Sequence, residues 1–201
     1  TAGIHPHDAK SATDELEAQL TALANNKQVI AIGECGLDYN RDFSPRDVQR
    51  SVFRRQLVLA EKLDLPVYLH ERDASDDMLS ILKEFNIRGV LHCFTGNSVA
   101  LKQYLDLGLY IGITGWVCDE RRGKELQQLV PSIPLDRLLI ETDAPFLIPR
   151  TVKPKPKSRK NEPALLPYIC QTVAQLYQTD EELIARKTTE NFYNVFGLKS
   201  C

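Results

Sequence analysis

Residues 29–34 read Val29-Ile30-Ala31-Ile32-Gly33-Glu34, four apolar side chains in a row that close on a glycine and a carboxylate. An apolar run without polar alternation fits a parallel strand buried on both faces. The pattern recurs outward along the chain at Thr1–His5, Pro66–His70, Gly89–Phe94, Leu109–Thr114 and Leu138–Asp143. Stretches with helical spacing lie between these runs, at about 12–25, 74–86, 97–107, 121–130, 162–177 and 179–196. The clearest helix opens at Ser44-Pro45, an N-cap followed by proline at the first helical position. It continues through Val48, Val52, Phe53, Gln56, Leu57 and Ala60 as a mostly apolar stripe. Strand–helix alternation of this kind is the signature of an α/β fold.

A doubly wound sheet would place its chemistry at one switch point, often beside a glycine-rich phosphate loop. The chain has no such loop. Instead the apolar runs close at or near His5, Glu34, His70, His92, Thr114 and Asp143. Polar groups at the ends of many strands predict a TIM-type (β/α) barrel. A closed barrel has eight strands and about 250 residues, against six runs spaced about 28 residues apart here. The expectation is therefore a single domain over residues 1–201, an incomplete barrel with six of eight strands, lacking its first two βα units.

Composition excludes several classes. Hydrophobic residues are 43% and charged residues 26% of 201, near globular averages, so neither a disordered chain nor a disulfide-stapled miniprotein is expected. No apolar run approaches the roughly 18 residues that span a bilayer. Lys+Arg 25 against Asp+Glu 27 leaves a net charge of -2, so any nucleic-acid binding must come from local charge. Five cysteines without a C-x-x-C point to a reducing, cytoplasmic setting.

Glu34, His70, His92 and Asp143 form the candidate catalytic set. Carboxylate oxygens suit hard divalent ions, and imidazole suits Zn, Mn and their neighbours. Four such groups at corresponding positions of separate strands predict a metal site, and a bound divalent ion activates water near neutral pH. Asp143 can also accept a proton from attacking water. Glu141, two residues earlier, is expected to support the site rather than ligate. His5 and His7 flank Pro6, and either could ligate metal or contact a phosphate, with His5 at the strand end the better placed; Arg72 could hold a phosphate oxygen. Cys35 and Cys93, each one residue past a proposed ligand, should point away from it and pack.

Arg150, Lys153, Lys155, Lys157, Arg159 and Lys160 fall within one acid-free stretch kept extended by Pro149, Pro154 and Pro156. Following Asp143, this loop should emerge on the metal face, and Lys155, Lys157 and Arg159 are candidate contacts to a phosphodiester backbone. Tyr39, Phe43, Trp116 and Phe146 lie near strand exits and could stack on bases.

Several stretches together resemble the TatD family of metal-dependent deoxyribonucleases, within the amidohydrolase-like barrels. They are Gly3-Ile4-His5-Pro6-His7, Ala31-Ile32-Gly33-Glu34-Cys35-Gly36-Leu37-Asp38, Leu69-His70-Glu71-Arg72, Leu91-His92-Cys93-Phe94-Thr95-Gly96, Glu141-Thr142-Asp143-Ala144-Pro145 and Arg159-Lys160-Asn161-Glu162-Pro163. The resemblance implies that Glu34, His70 and His92 ligate a divalent metal, with Asp143 a ligand or acid–base residue. It implies 3′-5′ exonucleolytic cleavage of single-stranded DNA, with RNA as a further substrate, Mg²⁺ as the metal (Mn²⁺ or Zn²⁺ as alternatives), a monomer, and a role in DNA repair. The family usually has His-Cys-Arg where this chain has His70-Glu71-Arg72, and Glu71 is expected to point away from the metal. Two other readings compete: an amidohydrolase acting on a small ester or amide, and an inactive nucleic-acid-binding fragment.

Overall fold

The computed structural model describes residues 1–158 and 160–199, so the expectation for Arg159 lies outside the described residues. The chain divides into two compact units. Among the described residues, one comprises Thr1–His92, Asp106–Leu109 and Val195–Gly197; the other comprises Cys93–Leu105, residues 110–158, 160–194 and 198–199.

The first unit runs through a 3₁₀ turn Pro6–Ser11, α1 (Leu16–Ala24), β1 (Ile32–Asp38), α2 (Arg46–Leu63), β2 (Val67–Arg72), α3 (Ser75–Leu82) and β3 (Gly89–Leu91). β2 pairs in parallel with β1 on one side and β3 on the other. The strands are apolar on both faces as expected: Ile32, Leu37, Val67 and Leu69 are fully buried. Phe53, Leu57 and Ala60 of α2 complete this core.

The second unit contains α4 (Ser98–Asp106, whose last residue groups with the first unit), β4 (Tyr110–Ile113), a 3₁₀ turn Gly115–Cys118, α5 (Lys124–Leu129), β5 (Leu138–Ile140), α6 (Leu166–Tyr177) and most of α7 (Glu181–Phe196). β4 and β5 are parallel. Asn191 of α7 donates from Nδ2 to the carbonyls of Leu135 and Leu138, both at 2.8 Å, and so ties that helix to β5. No helix among the described residues is long and apolar enough to cross a membrane.

Three local expectations change. The run Thr1–His5 forms only a single bridge, Ala2 to Ile32, before Pro6 opens the 3₁₀ turn. Proline has no N–H to extend a ladder, which ends the pairing there. Ser44 does not cap α2: its buried hydroxyl donates to His7 O at 2.8 Å and accepts from Lys10 N at 3.0 Å. Glu34 is not at a strand end, because β1 continues through Cys35, Gly36 and Leu37 to Asp38.

That continuation depends on glycine. Gly33 and Gly36 take φ of +126° and +143°, and a Cβ on Gly36 would lie 2.0 Å from His70 O. Only glycine lets β1 approach β2 this closely at such a φ. Gly36→Ala should destabilise the fold by at least about 2 kcal/mol, since strained backbone and a backbone clash act together. Urea unfolding midpoints test this; an unchanged midpoint would show that the two strands separate without cost.

Candidate metal centre

Glu34 is the extra residue of a bulge in β1. Gly33 lies opposite Tyr68 and Cys35 opposite Leu69, so Glu34 stands between successive partners. Bulges re-aim side chains. Here the re-aimed carboxylate meets three imidazoles: Glu34 Oε1 lies 3.3 Å from His5 Nε2, 3.1 Å from His70 Nδ1 and 2.8 Å from His92 Nε2. His70 is the fourth residue of β2. His92 directly follows β3, its N–H donating to Leu69 O at 3.0 Å and its buried ring stacked on Tyr68.

Asp38, at the end of β1, serves the other side of the cluster. Its Oδ2 lies 2.7 Å from His7 Nε2 and 3.2 Å from His70 Nε2. Its Oδ1 accepts the backbone N–H groups of Asn40 and Arg41 at 3.0 and 2.8 Å. His70 therefore presents both ring nitrogens to carboxylates. His5 Nδ1 accepts the His7 N–H at 3.1 Å, so a neutral His5 carries its proton on Nε2, toward Glu34.

The electrostatics follow. Burial alone would raise the Glu34 carboxyl, but hydrogen bonds from His5, His70 and His92 outweigh it and hold the group far below the usual carboxylate range. Asp38 is lowered in the same way against burial, by His70, the Arg41 N–H and His7. Burial would lower His70, yet Asp38 and Glu34 raise it above its ordinary value.

Among the described residues, two donor groups gather within 4.8 Å: Glu34, His70 and His92, and His5, His7 and His70. Two imidazoles and a carboxylate converging on one point fit a divalent ion, and the sharing of His70 gives room for a second. Three of the four expected ligands thus come together. Asp143 lies in the second unit, three residues past β5, half-buried in the left-handed region at φ +55°, its carbonyl accepting the Phe146 N–H at 2.8 Å.

The remaining expected residues fall as follows. Arg72 is half-buried at the end of β2. Glu71 accepts the Ala74 N–H at 2.7 Å at the start of α3, the turn away from the ligands that was expected. Cys35 is fully buried, and burial pushes its thiol up. Cys93 is half-buried, its Sγ 3.5 Å from Thr114 Oγ1. Glu141 Oε1 accepts the Cys93 N–H at 2.6 Å, a supporting contact. Lys155 and Lys157 are exposed, whereas Arg150 is engaged by Glu120 at 2.7 Å.

Sequence reasoning missed four supports. Gln56 of α2 bonds both backbone groups of Ile4, accepting from N at 2.7 Å and donating to O at 3.0 Å, and so fixes the residue before His5. Gln49, two turns earlier, does the same for Asp38 at 2.8 and 3.2 Å. Asn161, also buried, donates to Thr142 O at 2.8 Å and Leu147 O at 3.3 Å, bracketing Asp143. Asp38 itself is the fourth. For Gln49 and Gln56 the available signal was a polar amide on an apolar helical stripe, which needs a buried partner.

A family model described as TatD related DNase matches residues 1–197. The protein named 3′-5′ ssDNA/RNA exonuclease TatD from Klebsiella pneumoniae (strain 342) is 52% identical over 201 residues, covering 98% of this chain and 76% of that protein. The crystal structure of YJJV, a TatD homolog from Escherichia coli K12, superposes with a TM-score of 0.88 at 29% identity, covering 99% of this chain and 76% of that one. An amidohydrolase from Saccharomyces cerevisiae shares the fold, with a TM-score of 0.80 at 21% identity over 96% of this chain and 79% of that one. These likenesses bear out the expected fold class, an amidohydrolase-like (β/α) barrel type.

Ion uptake should be linked to protons. A ligating imidazole must be neutral, and the raised His70 holds its proton to higher pH than a free histidine. Affinity for Mn²⁺ should therefore rise with pH through the His70 titration, with about one proton released at pH 6 and fewer at alkaline pH. Metal-free stability has the opposite sign for this group. His70's contribution is full below its unfolded value and lost as pH rises through the folded one, while those of Glu34 and Asp38 are lost in acid. Calorimetric titration in two buffers of different ionisation enthalpy counts the protons; none released at pH 6 would contradict the linkage.

Proposed function

The chain belongs to the family of TatD-related DNases, and from that premise we propose that it is a metal-dependent 3′-5′ exonuclease of single-stranded DNA and RNA. One observation carries the reading: Glu34 Oε1, on β1, gathers His5, His70 of β2 and His92 just after β3 within 3.3 Å. We read residues 1–201 as one hydrolase domain of a cytoplasmic monomer with a role in DNA repair. The five cysteines without a C-x-x-C support the reducing compartment.

Glu34, His70 and His92 would hold the ion, assigned as Mg²⁺, with His7 and Asp38 available to a second. The ion supplies Lewis acidity toward a phosphoryl oxygen and lowers the pKa of water. Asp38 keeps His70 oriented through its Nε2, and the bulge keeps Glu34 pointed at the cluster. His5 is a candidate contact to a non-bridging phosphate oxygen. Arg72 is a second candidate contact. Asp143 is assigned as the base that accepts the proton of the attacking water. Lys155, Lys157 and Arg159 are assigned to the substrate backbone, a polyanion that a small ester substrate would not match.

Two variants separate the roles. His92→Ala should lose turnover through weaker ion binding, so excess Mg²⁺ or Mn²⁺ should restore part of it. Asp143→Asn should lose about 10²–10⁴-fold in rate with no rescue by added ion. Exonuclease rate against metal concentration is the measurement. Near-parental Asp143→Asn would remove it from the mechanism, and full activity in chelator would overturn the metal reading.

Charge reversal at Lys155 and Lys157 should weaken single-strand binding. The log–log salt slope should become shallower by about 0.7 for each lost phosphate contact. A slope equal to the parent's would show that the loop does not touch the strand.

A further inference from the structure

Phe43 stands out among the exposed apolar side chains of the first unit. Phe43 is 55% exposed, as is Leu23 on α1, and Val58 on α2 is 53% exposed. A lone exposed apolar side chain is ordinary. What distinguishes Phe43 is its neighbour and its support. Its ring centroid lies 4.8 Å from that of His7, edge to face at 71°, and His7 belongs to the His5–His7–His70 donor group.

The chain carrying Phe43 is tied down on both sides. Asp38 Oδ1 accepts the N–H groups of Asn40 and Arg41. Arg46 forks onto Asp42 at 2.9 and 2.7 Å while its guanidinium lies over the Tyr39 ring. Ser44 is buried, bonded to His7 O and Lys10 N, and its carbonyl accepts from Gln49 Nε2 at 2.8 Å. The backbone is thus held by side-chain bonds while the ring it presents stays in water. A cation sits at the same place: Lys10 Nζ donates to Phe43 O at 3.0 Å, leaving further ammonium donors on an exposed side chain.

We propose that Phe43 and Lys10 form a nucleotide subsite, in which the ring stacks on an unpaired base and the ammonium binds the adjoining phosphate of the strand being degraded. This rests on the nuclease reading above and deepens it. The ring offers a π-face without hydrogen-bond readout, so the subsite tolerates any base. It requires an unstacked base, which selects single strands over duplex. Immobilisation of the loop before substrate arrives limits the ordering cost of binding. Stacking that grips the base equally in ground and transition states acts on KM and leaves kcat alone.

The test uses the Mn²⁺-loaded full chain and two single-stranded oligonucleotides, identical except for an abasic residue replacing the 3′-terminal or penultimate nucleotide. The parent should cleave the natural strand with a KM about 5- to 150-fold lower than the abasic strand, the range of one base–aromatic stack. Phe43→Ala should raise KM for the natural strand by a similar factor, keep kcat within about twofold of the parent, and no longer distinguish the two strands. Phe43→Trp should retain the discrimination, and Leu23→Ala should match the parent. If the parent cleaves but Phe43→Ala still discriminates, or keeps the parental KM, the subsite is overturned and the nuclease reading stands. If the parent neither binds the natural oligonucleotide by fluorescence anisotropy nor cleaves it, both fall together.

Discussion

A single carboxylate oxygen shared among three imidazoles is the constraint on which the first unit's architecture turns. Glu34 Oε1 can meet His5, His70 and His92 together only if three segments of chain present their side chains to one point. A regular strand would direct Glu34 by simple alternation; the bulge between Gly33 and Cys35 removes that restriction. The bulge is tolerated because β1 carries glycine at the two positions where a Cβ would meet β2's carbonyls. The chemistry of the site and the glycine content of the strand are therefore one requirement expressed twice.

Where the chain leaves regular pairing, amide side chains take over the hydrogen bonding that a ladder would supply. Gln56 satisfies Ile4, Gln49 satisfies Asp38, and in the second unit Asn161 satisfies Thr142 and Leu147. Each clamps backbone next to a functional side chain rather than the side chain itself. Buried backbone groups need partners in any fold. Here the partners also determine how precisely the neighbouring donor groups are placed, through bonds that are invisible in a list of ligands.

The fold class could be read from residues 29–34 and their counterparts, because strands buried on both faces leave continuous apolar runs. The identity of Glu34, His70 and His92 was equally readable, since each stands at or near the polar end of such a run. Strand ends were less so. Cys35-Gly36-Leu37 continues the burial past Glu34, and a glycine pair inside a strand reads as a terminus unless the bulge is known. Ser44-Pro45 has the local chemistry of a helix cap, but tertiary bonding to His7 and Lys10 claims the hydroxyl. Asp38 escaped attention because its role exists only in three dimensions: His7 and His70 lie 31 and 32 residues from it in sequence.

The doubly faced His70 has a consequence for how the donor groups of the cluster hold together. With Glu34 on one nitrogen and Asp38 on the other, histidine protons occupy the electrostatic role that a cation would fill. The ligands stay gathered by attraction instead of springing apart by mutual repulsion of carboxylates. Each ring nitrogen of His70 that meets a carboxylate is also a group a cation would need, so an ion taken up here competes with protons for the same donors.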